Sequence, residues 1–526
     1  MPGLFQDTLF GIICRGISRG RLFPYQDDRD EALRSRYLEA SERNEKDLED
    51  GKIQDFILIE YLDNDADHPQ NWSISKKCFV TFQICLLAFS IYIGSAIYSS
   101  GLESVTEDFH VSQTVAILGL TLYVVGYGCG PMVWAPLSEI PMIGRSPVYI
   151  LTLLVFVFFN FGVVYAKNIG MLLAFRFLTG LFGSPVLATG GASLADMFRA
   201  SKRAYPMAVY GIANVCGPTI GPVIGNWAAE FRGWKWTIWE LIWMSGFALV
   251  FLTIFLPETS ADNIIYRRTA RLRKHQPTDA APLKCQPEII GEQMQVKDMV
   301  NMTLVRPFTL MLYEPIVLLL NLYIALIYAV LYCWLESLPI AFSEIRGFSL
   351  GITGLCYLGL TVGGLLVLPP FFYYNYFYVE PRFNGNGDLK PEIRLETALV
   401  GCFFLPVCLF FFGWTAQYES VLWIVPVIAT GFFTIGAFLS FLGVLNYLGD
   451  AYPTNFASIS AGNDFMRSGF GAAFPLFANQ MFHTLGVNWG NSLLGFLAIL
   501  FIPVIFYIWW NGEKIRMGSK NARHDI

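Results

Sequence analysis

The sequence predicts an all-α polytopic membrane protein with twelve transmembrane helices in two six-helix halves. Three observations lead there. Of the 526 residues 54% are hydrophobic and only 15% are charged, against roughly 25% in soluble domains, too few to coat a water-soluble body of this size. Twelve apolar runs each approach the ~20 residues that a helix needs to cross a hydrocarbon core about 30 Å thick. The longest internal polar stretch, 257–314, separates six of these runs from the other six.

Taken in order, residues 1–75 form a region expected in the cytosol. Within 1–25, Arg15, Arg19 and Arg21 stand among Phe, Leu and Ile, and two readings stay open: an amphipathic helix on the inner leaflet or a partly disordered tail. The stretch LFGIIC is too short for the apolar region of a signal peptide. Residues 26–70 are charge-rich and expected to be loosely ordered. The N-terminal bundle is predicted over 76–257, with spans at about 79–100, 113–135, 147–166, 171–195, 204–228 and 238–256. A cytosolic central loop follows at 258–312. The C-terminal bundle covers 313–512, with spans at about 315–338, 350–373, 397–415, 421–445, 457–480 and 492–511, and a cytosolic tail closes the chain at 513–526. With both termini inside, nineteen Lys and Arg fall on the inner connections and tail and four on the outer connections, which sets the orientation.

Six plus six with a long linker is the layout of transporters whose substrate site lies between two pseudo-repeated halves, although a channel or a polytopic enzyme shares the hydropathy. Neither metal nor cofactor is expected: the five histidines (His68, His110, His275, His483, His524) avoid the apolar runs, and the ten cysteines form no CxxC pair. No nucleophile elbow or phosphate loop suggests an enzyme, and a net charge of −5 gives no reason for a nucleic-acid partner.

Four stretches carry the chemistry. WAPLSEIPMIGRSPVYI, 134–150, places Glu139, Gly144 and Arg145 in the short break between spans two and three. A carboxylate there can face the positive end of a neighbouring helix, and an Arg can hold a carboxylate by charge-assisted hydrogen bonds. Two solvated loop charges are the alternative. GIANVCGPTIGPVIGNW in span five sets Ala213, Gly217, Gly221 and Gly225 on one smooth stripe and bends the helix at Pro218 and Pro222, a face suited to sliding between halves; Gly359 and Gly363 of span eight are the expected partner stripe. LLAFRFLTGLFGSP buries Arg176 in span four, either facing a polar cavity or bonded to carbonyls. SAGNDFMRSGFGAAFPLF in span eleven sets Asp464 and Arg467 at i and i+3, near mid-membrane, as a proton site or a static ion pair. Glu336 stands near the outer end of span seven, where an interfacial position is open to it, and Asn321, Tyr328, Tyr332 and Trp334 of the same span are candidate cavity walls for hydrophobic or amphipathic ligands.

The break between spans two and three resembles the loop signature of the major facilitator superfamily, and the span-five stretch resembles the GPxxGP element of its drug:proton antiporters. HPQNW before span one and PET at 257–259 are similar to elements of the fungal twelve-span members, the benomyl, methotrexate and fluconazole resistance transporters among them. The resemblance implies a major facilitator fold and a monomeric, proton-coupled exporter of small organic compounds in the plasma membrane. It implies that Glu139 faces the start of span eleven, near Pro453 to Ser458, and that Arg145 shares charge with Asp196. It also implies proton coupling or substrate orientation through Arg176, and a functional Glu336. The break between spans eight and nine keeps almost nothing of the signature, so the second latch is expected to be absent or rebuilt. Import of one metabolite, or a receptor on a transporter fold, are the other readings.

Overall fold

The computed structural model describes residues 5–25, 27, 30–38, 56–276, 281–293, 300–385 and 387–525, and these are helical almost throughout. Among them eleven helices are long and apolar enough to cross a membrane: Ile74–Phe109, Gln113–Glu139, Arg145–Val164, Ile169–Met197, Ala204–Arg232 and Trp234–Phe255 (spans one to six), Pro315–Glu344, Leu350–Arg382, Pro391–Ala416 and Ile424–Ala451 (spans seven to ten), and Pro475–Gly518. The last is two helices joined at Gly486, whose φ of 79° and ψ of 160° break the helical path. Gln417 Oε1 accepts from Val487 N at 2.8 Å, capping the new helix. Asn455 then donates to the carbonyl of Asn521, so the chain has returned to the face it left. Span eleven is therefore Phe456–Ala473 continued through 475–485, and span twelve is 487–518. The first of these segments escapes a hydropathy criterion because Asn463, Asp464 and Arg467 lower its apolar content. Span twelve runs on to Gly518, into what the sequence assigns to the tail.

Local chemistry sets the helix starts. Ser73 Oγ accepts from Lys76 N and Asn168 Oδ1 from Met171 N, each satisfying an orphan donor of a first turn. Gly144 and Gly233, with φ of 79° and 78°, make the turns into spans three and six. The two halves meet along spans two and eleven and along spans five and eight. A Cβ at Gly128 would lie 2.5 Å from Ser468, so a bare glycine is what lets span two approach span eleven.

On the face that carries both termini, here the terminal face, the ends of the chain are fastened down. Strand β1 (Ile57–Ile59) pairs in parallel with β2 (Leu283–Cys285). Helix Ala261–Arg273 follows span six, and its Arg268 binds Asp65 at 2.5 Å and also Asp67, while Arg271 grips Asp27 at 2.9 and 2.7 Å. The described parts of 26–70 are thus packed against the linker, not loosely ordered, because buried guanidinium groups gather their carboxylates; residues 39–55 lie outside the described set. Burial pushes the Asp65 carboxyl up, but the hydrogen bonds and charge of Arg268 outweigh it and hold the group below its ordinary range. Burial pushes the Tyr25 phenol up to about 12.

Candidate functional site

The seam between the halves is polar where it passes Asp464. Arg467 donates Nε to Asp464 Oδ1 at 2.8 Å, and its Nη2 lies 2.6 Å from the same oxygen. Both side chains are buried, at 7% and 3% exposure. The guanidinium reaches across the seam to the Tyr92 hydroxyl of span one at 3.2 Å and lies over the Tyr328 ring. A chain of hydroxyls continues from there: Tyr127 of span two meets Tyr328 at 3.0 Å and Tyr332 at 2.9 Å, and Tyr332 donates to Ser95 of span one at 2.9 Å. Asp464 Oδ2 finds no hydrogen-bond partner among the described residues. One oxygen of this carboxylate is therefore unpaired within the protein and open to a new partner.

Beside the pair lies a cavity of about 60 Å³, walled by Tyr92, Asn214, Pro218, Tyr328, Phe441 and Arg467 among others. Drug-sized ligands need roughly 300–1,000 Å³. Along spans five and eight the seam is bridged at both ends. On the terminal face Glu380 accepts from Lys202 at 2.7 Å and from Tyr205 at 2.6 Å. On the opposite face Asn226 donates to Leu350 O at 3.0 Å and Gly351 N to Glu230 at 2.5 Å.

The other sequence candidates separate. Arg176 is fully buried and donates to two carbonyls, Gly119 O and Gly94 O, both at 2.9 Å, between the rings of Tyr98 and Tyr123. It ties spans one, two and four together inside one half. Glu336 is buried in the C-terminal half and accepts from Asn479 at 3.4 Å, away from the Asp464 pair. Tyr328 lines the cavity and Tyr332 belongs to its hydroxyl chain. Trp334 and Asn321 are not cavity walls. Trp334 sits between Phe412 and Phe433 with its indole N–H on Asn491, because an aromatic of that size finds more partners inside the bundle than at the seam. Asn321 accepts from Asn463 at 2.9 Å, tying span seven to span eleven.

The span-five stripe also faces elsewhere than expected. Cβ atoms at Gly217, Gly221 and Gly225 would come within 2.5 to 3.0 Å of Tyr92, Ile93, Ile97 and Ser100, so these glycines pack span five onto span one within one half. The face toward span eight carries Thr219, which bonds Thr361 at 3.0 Å, the carbonyl of Pro222 and Asn226. Gly359 and Gly363 face Val427 and Gly431 of span ten. The glycine stripes of spans five and eight thus serve packing within each half, while the contact between those two spans is made by Thr219, Asn226 and Gly354. Pro218 reaches the cavity wall from the same helix.

Arg145 and Asp196 form an ion pair at 3.1 Å. Glu139 lines a cavity of about 450 Å³ together with Ala457 and Ser458 at the start of span eleven. The residue that sequence reasoning missed is Glu258, fully buried. Its carboxylate accepts from Arg145 N at 3.1 Å, Ser146 N at 3.2 Å, and Thr259 N and Ser260 N at 2.9 Å. It caps span three while closing its own turn, and a Cβ at Gly144 would strike it at 2.5 Å. The acid in PET was the available signal. Tyr92, Tyr127 and Ser95 were missed too, for they sit among apolar residues with nothing in the pattern to mark them. Among the described residues no group of three or more His, Cys, Asp or Glu could hold a metal.

A family model for the major facilitator superfamily matches residues 84–475. The chain is 41% identical over 466 residues to the transporter mfs1 of Schizosaccharomyces pombe, covering 88% of this chain and 87% of that one. It is 38% identical over 461 residues to fluconazole resistance protein 1 of Saccharomyces cerevisiae, covering 87% and 83%. Among solved structures it is similar to the proton:xylose symporter XylE bound to 6-bromo-6-deoxy-D-glucose, with a TM-score of 0.57, 14% identity, and coverage of 84% and 96%, a likeness of fold alone.

Proposed function

The chain belongs to the major facilitator superfamily, and from that premise we propose that it is a monomeric, proton-coupled exporter of small hydrophobic or amphipathic compounds across the plasma membrane, with both termini in the cytosol. The observation that carries the reading is the Asp464–Arg467 pair, placed in the seam with an unsatisfied carboxylate oxygen and a guanidinium that reaches Tyr92 of the other half. Protonation of Asp464 removes the negative partner of Arg467 and leaves that cation to the tyrosines. Such a change shifts the balance of conformations only if the two seam arrangements bind the proton unequally, and the contact of the pair with both halves is what supports that inequality. When the halves part, the tyrosine and phenylalanine walls with a single amide suit broad apolar ligands, which ring faces bind by area more than by fixed geometry. The relative named for fluconazole resistance agrees with that class of cargo. Glu139, Arg145 and Asp196 act as the terminal-face latch, and Glu336 serves as a second, isolated carboxylate.

The test is transport by the purified protein in sealed vesicles under an imposed pH gradient, with a panel of dyes and azoles. Gradient-dependent movement is expected, and movement of none of the panel would sink the exporter reading. Asp464→Asn should abolish proton-driven accumulation and leave counterflow exchange. Loss of both, with the protein folded, would make the pair a static strut.

A further inference from the structure

The first helix, Leu9–Ile17, turns an apolar stripe outward. Phe10, Ile13 and Ile17 recur at i, i+3 and i+7 on one side, and Ile17 is 80% exposed. The opposite side is committed inward: Arg15 donates to Gln6 O and Phe23 O and stacks on Tyr25, and Gly11 packs under Phe5. The helix is not free to swing away. Thr8 forms a β-bridge with Pro257, and Glu258 N donates to Asp7 O at 3.1 Å.

What covers the stripe follows from continuity. Spans one and six present Phe82, Phe247 and Val250 outward, as a lipid-facing belt must. From that belt an unbroken ladder of rings descends the terminal end of span six to the first helix: Phe247 to Phe251 at 5.8 Å, Phe251 to Phe255 at 5.1 Å, Phe255 to Phe5 at 5.7 Å and Phe5 to Phe10 at 6.4 Å. The stripe is the last rung of this ladder, continuous with the exposed apolar belt of the spans. Just beyond the helix stand Arg19 and Arg21, both exposed. We propose that Leu9–Ile17 is a membrane-docking helix, whose Phe10, Ile13 and Ile17 enter the leaflet around spans one and six while Arg19 and Arg21 select anionic phospholipid headgroups. An apolar face with flanking cations is the physical requirement for lying in a charged interface. The inference does not depend on which compounds the protein moves.

The test uses the full chain in nanodiscs of mixed phosphatidylserine and phosphatidylcholine, with the photocrosslinker p-benzoylphenylalanine introduced at Ile17 or, as control, at exposed Ser35 on the neighbouring cytosolic segment. Mass spectrometry reads the adducts. Phospholipid adducts are expected at Ile17 and not at Ser35, with phosphatidylserine enriched over its share of the disc. Charge reversal at Arg19 and Arg21 should lower that enrichment by about five-fold per arginine at low salt while adducts persist. Equal adduct yields at the two positions would overturn the proposal. So would crosslinks at Ile17 to a second copy of the chain, which would make the stripe a protein interface. No transport is measured, so failure here and failure of the exporter reading are separate results.

Discussion

The terminal faces of the two halves solve one problem with different residues. In each half the third helix begins with an Arg and the fourth ends near an Asp. In the N-terminal half these are Arg145 and Asp196, at 3.1 Å; in the C-terminal half they are Arg394 and Asp450, at 2.8 Å. Each charge lies at the wrong end of its helix for the macrodipole, a cation at an N-terminus and an anion at a C-terminus, so each stabilises the other. What differs is the anion that satisfies the third helix. In the first half Glu258 arrives from the end of span six and takes four backbone N–H groups. In the second half Glu396 lies in the first turn of its own helix and binds Arg382 and Tyr374, while Glu392 holds Arg516 at 3.0 Å. The break between spans eight and nine thus carries its own ion pairs although it lacks the signature. Pseudo-symmetry here preserves a charge arrangement without preserving the letters that make it.

That comparison can be broken most sharply at Glu258. Glu258→Ala orphans four buried N–H donors at once and should cost at least about 3 kcal/mol. Glu396→Ala removes a partly exposed acid from the first turn of span nine and should cost about 1 kcal/mol. Thermal unfolding in detergent, with hydrogen exchange across 144–147, reads the asymmetry; equal losses would show that Glu258 is no more than a local cap.

The shared pair comes next. Arg145→Ala and Arg394→Ala should each destabilise by about 2 kcal/mol, because each strands a partly buried Asp. In each half the double variant with Asp196→Asn or Asp450→Asn should recover part of the loss. Double-mutant cycles measure the two couplings, and a coupling confined to one half would end the equivalence.

A smaller effect separates the covers over the two halves. Asp65 has a folded-state pKa below its unfolded value of about 4, so its stabilisation is complete above that value and is lost as pH falls through the folded one. Asp67 beside it is raised by burial and partly opposes the change. Hydrogen exchange of 57–65 and 261–273 should therefore quicken below about pH 4, and no change would mean that Arg268 contributes little to the cover. The smallest effect is expected from Lys202→Ala, which cuts the tie from the first half to Glu380. The lysine is more than half exposed, so the cost should stay under about 1 kcal/mol. The readout is the rate at which the seam opens, followed by a fluorophore pair across the terminal face.

Much of the architecture was legible in the residues alone. Apolar runs of bilayer length locate the helices, the polar stretch at 257–314 divides the halves, and a mid-membrane Asp and Arg one turn apart announce a pair, because the cost of burying charge leaves few places for such residues. Direction was not legible. A stripe of glycines states that something approaches closely, but not which helix, and span one took the face of span five that sequence reasoning gave to span eight. A tryptophan in an apolar span reads the same whether it lines a cavity or fills a core. Glu258 was visible only as the acid of PET, without the span-three turn it closes, and Tyr92 acts through a partner 375 residues away, so no local pattern marks it. Hydrophobicity and charge are properties of each residue and survive in the string. Which faces meet, and which buried group is left half satisfied, are properties of packed pairs, and only the folded chain decides them.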